Sequence, residues 1–195
     1  MSSHDGWVVR GEVLGPREAA PDGTPPPPFD HLLHQLGLEW EWREAPLAVA
    51  AEGERFAGSL LHLADAFDFT VTLNLRLWPQ RARVGIGKGA LARARKQKLP
   101  FALELGDGFS PASIHLMEQA ARLHAAQMGR WKPSRWAAVR AIRKAPRQRD
   151  AAALLQVRQQ SVSTALRAAL AKEMSGLEQA IRQQLVALVP AEAKP

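Results

Sequence analysis

Between residues 6 and 87 the hydrophobic pattern switches repeatedly between a strand-like and a helix-like period, which confines the chain to a small set of αβ folds. Residues 6–14, GWVVRGEVL, read as a strand with Trp7, Val8, Val9, Val13 and Leu14 as its apolar positions. Residues 15–28 begin Gly-Pro and carry five prolines from Pro21 onward. Proline has no N–H to donate, so this run reads as a surface loop. A short helix follows over residues 30–38, ended near Gly37. Residues 46–52 and 56–60 read as the two strands of a hairpin, joined by Glu52-Gly53-Glu54-Arg55. Residues 61–77 start as a helix and leave their second half open between helix and extended chain. Arg83-Val84-Gly85-Ile86-Gly87 is a glycine-rich strand. The order strand, helix, strand, strand, helix, strand predicts an α+β fold whose N-terminal part is a ferredoxin-like βαββαβ domain.

Further along, residues 92–98 (ARARKQK) read as a basic loop or short helix, with Arg93, Arg95, Lys96 and Lys98 either touching phosphate or simply solvated. Ser110 can cap a helix that has Pro111 at its first position. Its expected apolar stripe is Ile114, Met117, Ala121, Leu123 and Met128, and Gly129 breaks it. Trp40 and Trp42, alternating with Glu39, Glu41 and Glu44, read as one face of an edge strand.

Charge divides the chain at that same glycine. Residues 129–195 hold 13 Lys/Arg against 4 Asp/Glu, a net of +9, whereas residues 1–128 hold 13 against 15, a net of −2. A basic appendage on a near-neutral domain suits a polyanionic partner. The expected domains are therefore residues 1–128, αβ, and residues 129–195, all α.

Within the basic part, residues 134–144 form an amphipathic helix through Trp136, Val139, Ala141 and Ile142, stopped by Ala145-Pro146. Residues 147–155 form a second, presenting Ala151, Leu154 and Leu155. Gln156 and Val157 make the turn, and residues 158–170 form a third helix over Val162, Ala165, Leu166 and Ala169. This is the spacing of a helix-turn-helix, with small Ala152 or Ala153 near the crossing. Gln156 stands where glycine is common, so it must turn left-handed or widen the turn. Arg158, Gln159, Gln160, Ser163, Thr164 and Arg167 are left on the outer face. Gln can pair with adenine, Arg with guanine, and Ser or Thr with bases or phosphate. Arg143, Lys144, Arg147 and Arg149 cluster at the start of the second helix, where phosphates pass. The expected partner is double-stranded DNA. In residues 172–189, Met174, Leu177, Ile181, Leu185 and Leu188 share one stripe, which either packs on the module or forms the seam of a homodimer.

These motifs, in this order, resemble the SatD family of small bacterial proteins, in which an αβ domain precedes a helix-turn-helix. Gly11-Glu12 stands at the family's Gly-Asp, and Glu52-Gly53-Glu54-Arg55-Phe56 stands at a Gly-Asp-Glu-Phe-like hairpin. Residues 83–87 resemble the RxGIGxG strand, Asp107-Gly108 opens a DGxAxxxAR-like segment, and residues 151–167 resemble the C-terminal motif. The first four are also similar to the core of class III nucleotide cyclases and diguanylate cyclases. Such enzymes hold two divalent metals on paired acids. Here Glu12 and Glu54 are the candidates, both longer than aspartate, and Arg55 brings a cation where a second acid is needed. The resemblance thus implies a degenerate domain without catalysis, cofactor or metal.

His31, His34, His62, His115 and His124 show no metal-like pairing. The start of the chain lacks a signal-peptide pattern, and no stretch approaches the ~20 apolar residues that span a bilayer. With no cysteine, the chain fits a reducing cytoplasm. The expected function is sequence-specific DNA binding by a dimeric transcriptional regulator. The alternatives are a nucleotide-handling enzyme with a docking helix-turn-helix, or a protein-interaction module.

Overall fold

The computed structural model describes residues 7–15, 28–40 and 48–188. Residues 120–181 form one compact unit; residues 1–119 together with 182–195 form the other. The strands all belong to the second of these, which is α+β.

That unit runs β1 (Trp7–Leu14), α1 (Phe29–Trp40), β2 (Ala48–Glu52), β3 (Arg55–Leu60), α2 (Asp65–Leu77), β4 (Arg81–Ile86), α3 (Ala90–Gln97) and β5 (Phe101–Leu103). The five strands lie in the order β2-β3-β1-β4-β5. Pairing is antiparallel from β2 through β4, while β5 joins β4 in parallel. The strand expected at residues 6–14, the hairpin and the strand expected at residues 83–87 thus appear as β1, β2–β3 and β4. Residues 65–77 settle as helix throughout, because Phe69, Leu73 and Leu77 extend the buried stripe that Ala66 begins. Trp40 ends helix α1 instead of starting a strand, since Leu32, Leu33 and Leu36 carry a helical period up to it. The rest of the expected edge strand, with Trp42, lies outside the described residues, as does most of the proline loop.

Alternation on β1 buries Val9, Gly11 and Val13 against the helices and turns Val8 and Arg10 outward. Gly11 pairs with Phe56 across β1 and β3, and the Phe56 ring occupies the space a side chain on residue 11 would need. Phe56 then meets Phe29 and Phe69, at 5.9 and 5.7 Å between centroids, and Phe67 meets Phe101 at 5.5 Å. Gly85 serves a similar end: a Cβ there would run into the backbone of Ala90 and Leu91, so its absence lets α3 lie directly on the sheet. Ala90, Ala94, Leu99 and Ala102 fill that small contact.

The short strand β5 has no counterpart in the sequence reading, because three apolar residues carry no period. Its edge is fixed by Glu118, whose carboxylate is buried. Leu103 N–H donates to it at 2.8 Å, and Arg93 donates through both terminal nitrogens while also bonding the Leu103 carbonyl at 2.6 Å. Glu118 belongs to α4 (Pro111–Met128). On that helix Met117, Ala121 and Met128 are buried as expected, but Leu123 is 66% exposed. The inward positions beside it belong to Glu118 and His124.

The basic unit is helical. It takes in the end of α4, then α5 (Pro133–Lys144), α6 (Gln148–Leu155), α7 (Gln159–Ala168) and most of α8 (Ala171–Leu188). The residues of α8 from Arg182 onward belong to the αβ unit, where Arg182 reaches Asp68 of α2 at 3.1 Å. No helix among the described residues is long and apolar enough to cross a membrane.

Candidate nucleic-acid interface

Helix α5 begins with Pro133 at its first position and buries Ala138, Val139 and Ala141. It stops at Ala145, which adopts an extended conformation ahead of Pro146, as the residue before a proline prefers. Helix α6 buries only the methyls of Ala151 and Ala152, which lets α5 and α7 approach it closely. Gln156 takes the left-handed conformation, φ 54° and ψ 40°, and does not widen the turn. Its N–H bonds to Ala153 and the N–H of Val157 to Ala152, the paired bonds that close a helix end around a residue usually glycine. Arg158 follows in extended conformation, and α7 starts at Gln159, locked underneath by Val162 and Leu166.

The far end of α7 is held by Trp131. Its buried indole N–H donates to the carbonyl of Ala169 at 3.1 Å. Nothing in the periodicity of residues 129–133 signals that contact; only the rarity of a tryptophan in a basic linker could have.

This framework leaves Arg158, Gln159, Gln160, Thr164 and Arg167 exposed along α7, with Ser163 half-buried beside them. Lys144, Arg147 and Arg149 are exposed at the α5–α6 turn and the first turn of α6. No acidic residue lies on α7. Arg149 keeps one exposed contact with its neighbour Asp150, at 3.3 Å.

Arg143 stands apart from Lys144, Arg147 and Arg149, with which it was expected to cluster. Its guanidinium is held by Glu178 of α8, which also bonds His124 of α4 at 2.8 Å. Burial acts to raise the Glu178 carboxyl, but the His124 hydrogen bond and the Arg143 charge outweigh it and hold the group below its usual range. Glu178 is the residue the sequence reading missed: a lone acid on an amphipathic helix carries no signal of its partners.

One expected inward position faces outward: Leu154 is 59% exposed, while α6 buries Ala151 and Ala152; Val157 of the turn is 46% exposed. The stripe on α8 is used within the chain, with Met174, Ile181 and Leu185 buried.

In the αβ unit, Glu12 of β1 lies in register with Arg55, and the Glu54 carbonyl beside it accepts from the Val13 N–H at 2.8 Å. Both carboxylate oxygens of Glu12 are taken, one by Arg83 at 2.8 Å and the other by Arg95 at 2.9 and 2.6 Å. The Arg95 hydrogen bond, with Arg83 behind it, keeps the Glu12 carboxyl below its usual range despite partial burial. Glu54 is exposed at the hairpin turn. Arg93 and Arg95, read as phosphate contacts or solvated charges, are thus both engaged by carboxylates.

No protein-family model, curated protein or solved structure matches this chain.

Proposed function

We propose that residues 120–181 bind double-stranded DNA, with α6 and α7 as a helix-turn-helix and α7 entering the major groove. The observation that carries the reading is the composition of one surface. Arg158, Gln159, Gln160, Thr164 and Arg167 project from a helix with no acid, locked from beneath by Val162 and Leu166. Side chains of these types pair with base edges, while Lys144, Arg147 and Arg149 supply phosphate contacts. Residues 120–181 hold 12 Lys/Arg against 3 Asp/Glu, a charge that favours a polyanion over a neutral partner.

A second feature supports it. The N-cap positions of α5, α6 and α7 are Lys132, Arg147 and Arg158, and none is closed by a side-chain hydrogen bond. A cation at the positive end of a helix dipole costs about 0.3–1 kcal/mol, and an anion laid across that end reverses the sign. The starts of α5 and α7, whose first turns hold no acid, are therefore arranged in favour of a bound polyanion, while Asp150 already complements the first turn of α6.

We read the αβ unit as ferredoxin-like: its element order is βαββαβ, its first four strands lie in the order β2-β3-β1-β4, and β5 extends one edge. On this reading the chain is a relative of the SatD proteins, with a degenerate cyclase-like αβ domain accompanying the DNA-binding unit of residues 120–181. It acts in the cytoplasm as a dimeric transcriptional regulator that needs neither cofactor nor metal. Met174, Ile181 and Leu185 of the α8 stripe are buried within one chain, which favours a two-fold seam on another surface. The test is selection of bound fragments from random duplex DNA by the full chain at two salt concentrations. A recovered consensus whose affinity falls steeply with salt supports the proposal; no enrichment at either salt refutes it.

A further inference from the structure

In the αβ unit, β4 and β5 run parallel with α3 as their crossover. Where strands are joined in this way, ligands bind outside their carboxyl ends. A cleft of about 610 Å³ opens there, between α3, the loop of residues 104–110 that leaves β5, and the first turns of α4. Small-molecule sites span roughly 300–1,000 Å³. The walls are apolar: Leu103, Leu105, Phe109, Pro111 and Ile114. They are also fixed in place. Phe109 packs edge-on against Trp7 of β1 at 5.9 Å between centroids, and Gly106 turns the loop with φ 89°.

The charged groups of the lining divide into two sets. Arg93 and Glu118 satisfy each other, and Arg93 also holds the Leu103 carbonyl. Glu104 and Asp107 are exposed at the rim, and among the described residues neither has a hydrogen bond or ion pair. Glu104 feels the Arg93 charge without bonding it. Its carboxylate lies against Gly89 at the start of α3, in space that a Cβ there would claim.

We infer that this cleft binds a small organic cation, a primary amine carried on an apolar frame. Size and wall chemistry come first, since five apolar side chains gain only from a body that displaces water from them. Charge then selects among bodies of that kind. A carboxylate or phosphate would face Glu104 and Asp107, with both terminal nitrogens of Arg93 already engaged. A bare divalent ion would leave the walls uncovered, and among the described residues no three His, Asp or Glu side chains stand together to hold one. An ammonium meets the two rim carboxylates while its frame lies along Phe109 and Ile114. The whole chain carries a net charge of +7, so general attraction would favour anions, and a preference for the amine has to arise at the cleft itself. The inference goes beyond DNA binding and holds whether or not α7 reads bases.

The test is isothermal titration calorimetry of the full chain near physiological salt with three matched pairs: 2-phenylethylamine and 3-phenylpropionate, tryptamine and indole-3-propionate, hexylamine and heptanoate. Ethylamine supplies the charge with almost no frame. At least one of the three framed amines should bind about tenfold more tightly than both its paired carboxylate and ethylamine. Asp107→Asn and Glu104→Gln, both at exposed positions, should each weaken that amine severalfold and leave the paired carboxylate unchanged, with thermal melting verifying the fold. The proposal is overturned if no amine is preferred to its carboxylate, or if the preference survives both substitutions. Ethylamine binding as tightly as the framed amines overturns it too, since the walls would then contribute nothing.

Discussion

Nη2 of Arg143 stands 2.6 Å from each carboxylate oxygen of Glu178, tying the end of α5 to α8. Lys144, the next residue, is exposed and makes no such contact. Two adjacent cations therefore do different work. Arg143→Ala should lower stability by about 1–2 kcal/mol, since it strips a charged partner from a largely buried carboxylate. Arg147→Ala should leave stability nearly unchanged and reduce the salt slope of DNA binding by about one. Chemical denaturation and salt titrations of both variants check this; equal loss of salt slope would return Arg143 to the phosphate-contacting set.

Glu178 also gives the basic unit a pH response. Its carboxyl is held below its ordinary value in the folded chain, because His124 and Arg143 outweigh the opposing effect of burial. A depressed folded pKa contributes stability that is fully present above the unfolded value, about 4.3, and is lost as pH falls through the folded value. Glu178→Gln should therefore be less stable than the parent chain near neutrality, and the gap should narrow below about pH 4. Denaturant midpoints measured from about pH 3 to 7 will show it. A gap constant across that range would mean that the ionised carboxylate is not the source.

The periodic elements were legible; the ionic ties between them were not. The β1 strand, the β2–β3 hairpin and the helices α5 to α8 follow from apolar spacing and from stops at Pro146 and Gln156. Helix α4 shows where that logic fails. Its inward face keeps a helical period, yet two of its positions are Glu118 and His124, which apolar counting passes over in favour of exposed Leu123. Each is buried because a partner distant in sequence satisfies it: Arg93 for Glu118, Glu178 for His124. Leu154 was misplaced for the converse reason. Its apolar side chain matches the helix-turn-helix pattern, but the buried positions of α6 are those of Ala151 and Ala152. The outer-face residues of α7 could be placed from sequence because Val162 and Leu166 fix the helix's rotation.

The left-handed turn at Gln156 stores strain. A residue with a Cβ pays roughly 1–2 kcal/mol to adopt that conformation, whereas glycine adopts it freely at some entropic cost in the unfolded chain. Gln156→Gly should therefore stabilise the protein by about 1 kcal/mol, read as a higher thermal midpoint. A lower midpoint would show that the Gln156 side chain makes a compensating contact.

Along α7 the base-reading and phosphate-holding tasks should separate by residue. Gln159, Gln160 and Thr164 are exposed on the first turns of a helix whose rotation is fixed. Replacing any one that meets a base edge with alanine should cost about 1–3 kcal/mol on the preferred site and flatten discrimination there. Lys144→Ala and Arg149→Ala should weaken all sequences alike. Binding measured on the consensus and on single-base variants distinguishes the two; an exchanged pattern would mean that α7 presents its other face to DNA.

Glu12 provides the separation between regulator and enzyme. A cyclase holds two divalent metals against a triphosphate on paired carboxylates. Here both oxygens of Glu12 are occupied by Arg83 and Arg95, and its side chain is only 17% exposed. A metal would have to displace two guanidinium groups and then sit between them, with exposed Glu54 as the second acid. Magnesium or manganese should therefore leave the thermal midpoint unchanged, and neither ATP nor GTP should be turned over. Because Glu12 links β1 to β4 and α3, Glu12→Ala should lower stability by about 1–2 kcal/mol. Glu54→Ala, at an exposed turn, should be close to neutral, and both variants should bind DNA as the parent does. A cyclic nucleotide product that disappears in Glu54→Ala would replace the regulator with an enzyme.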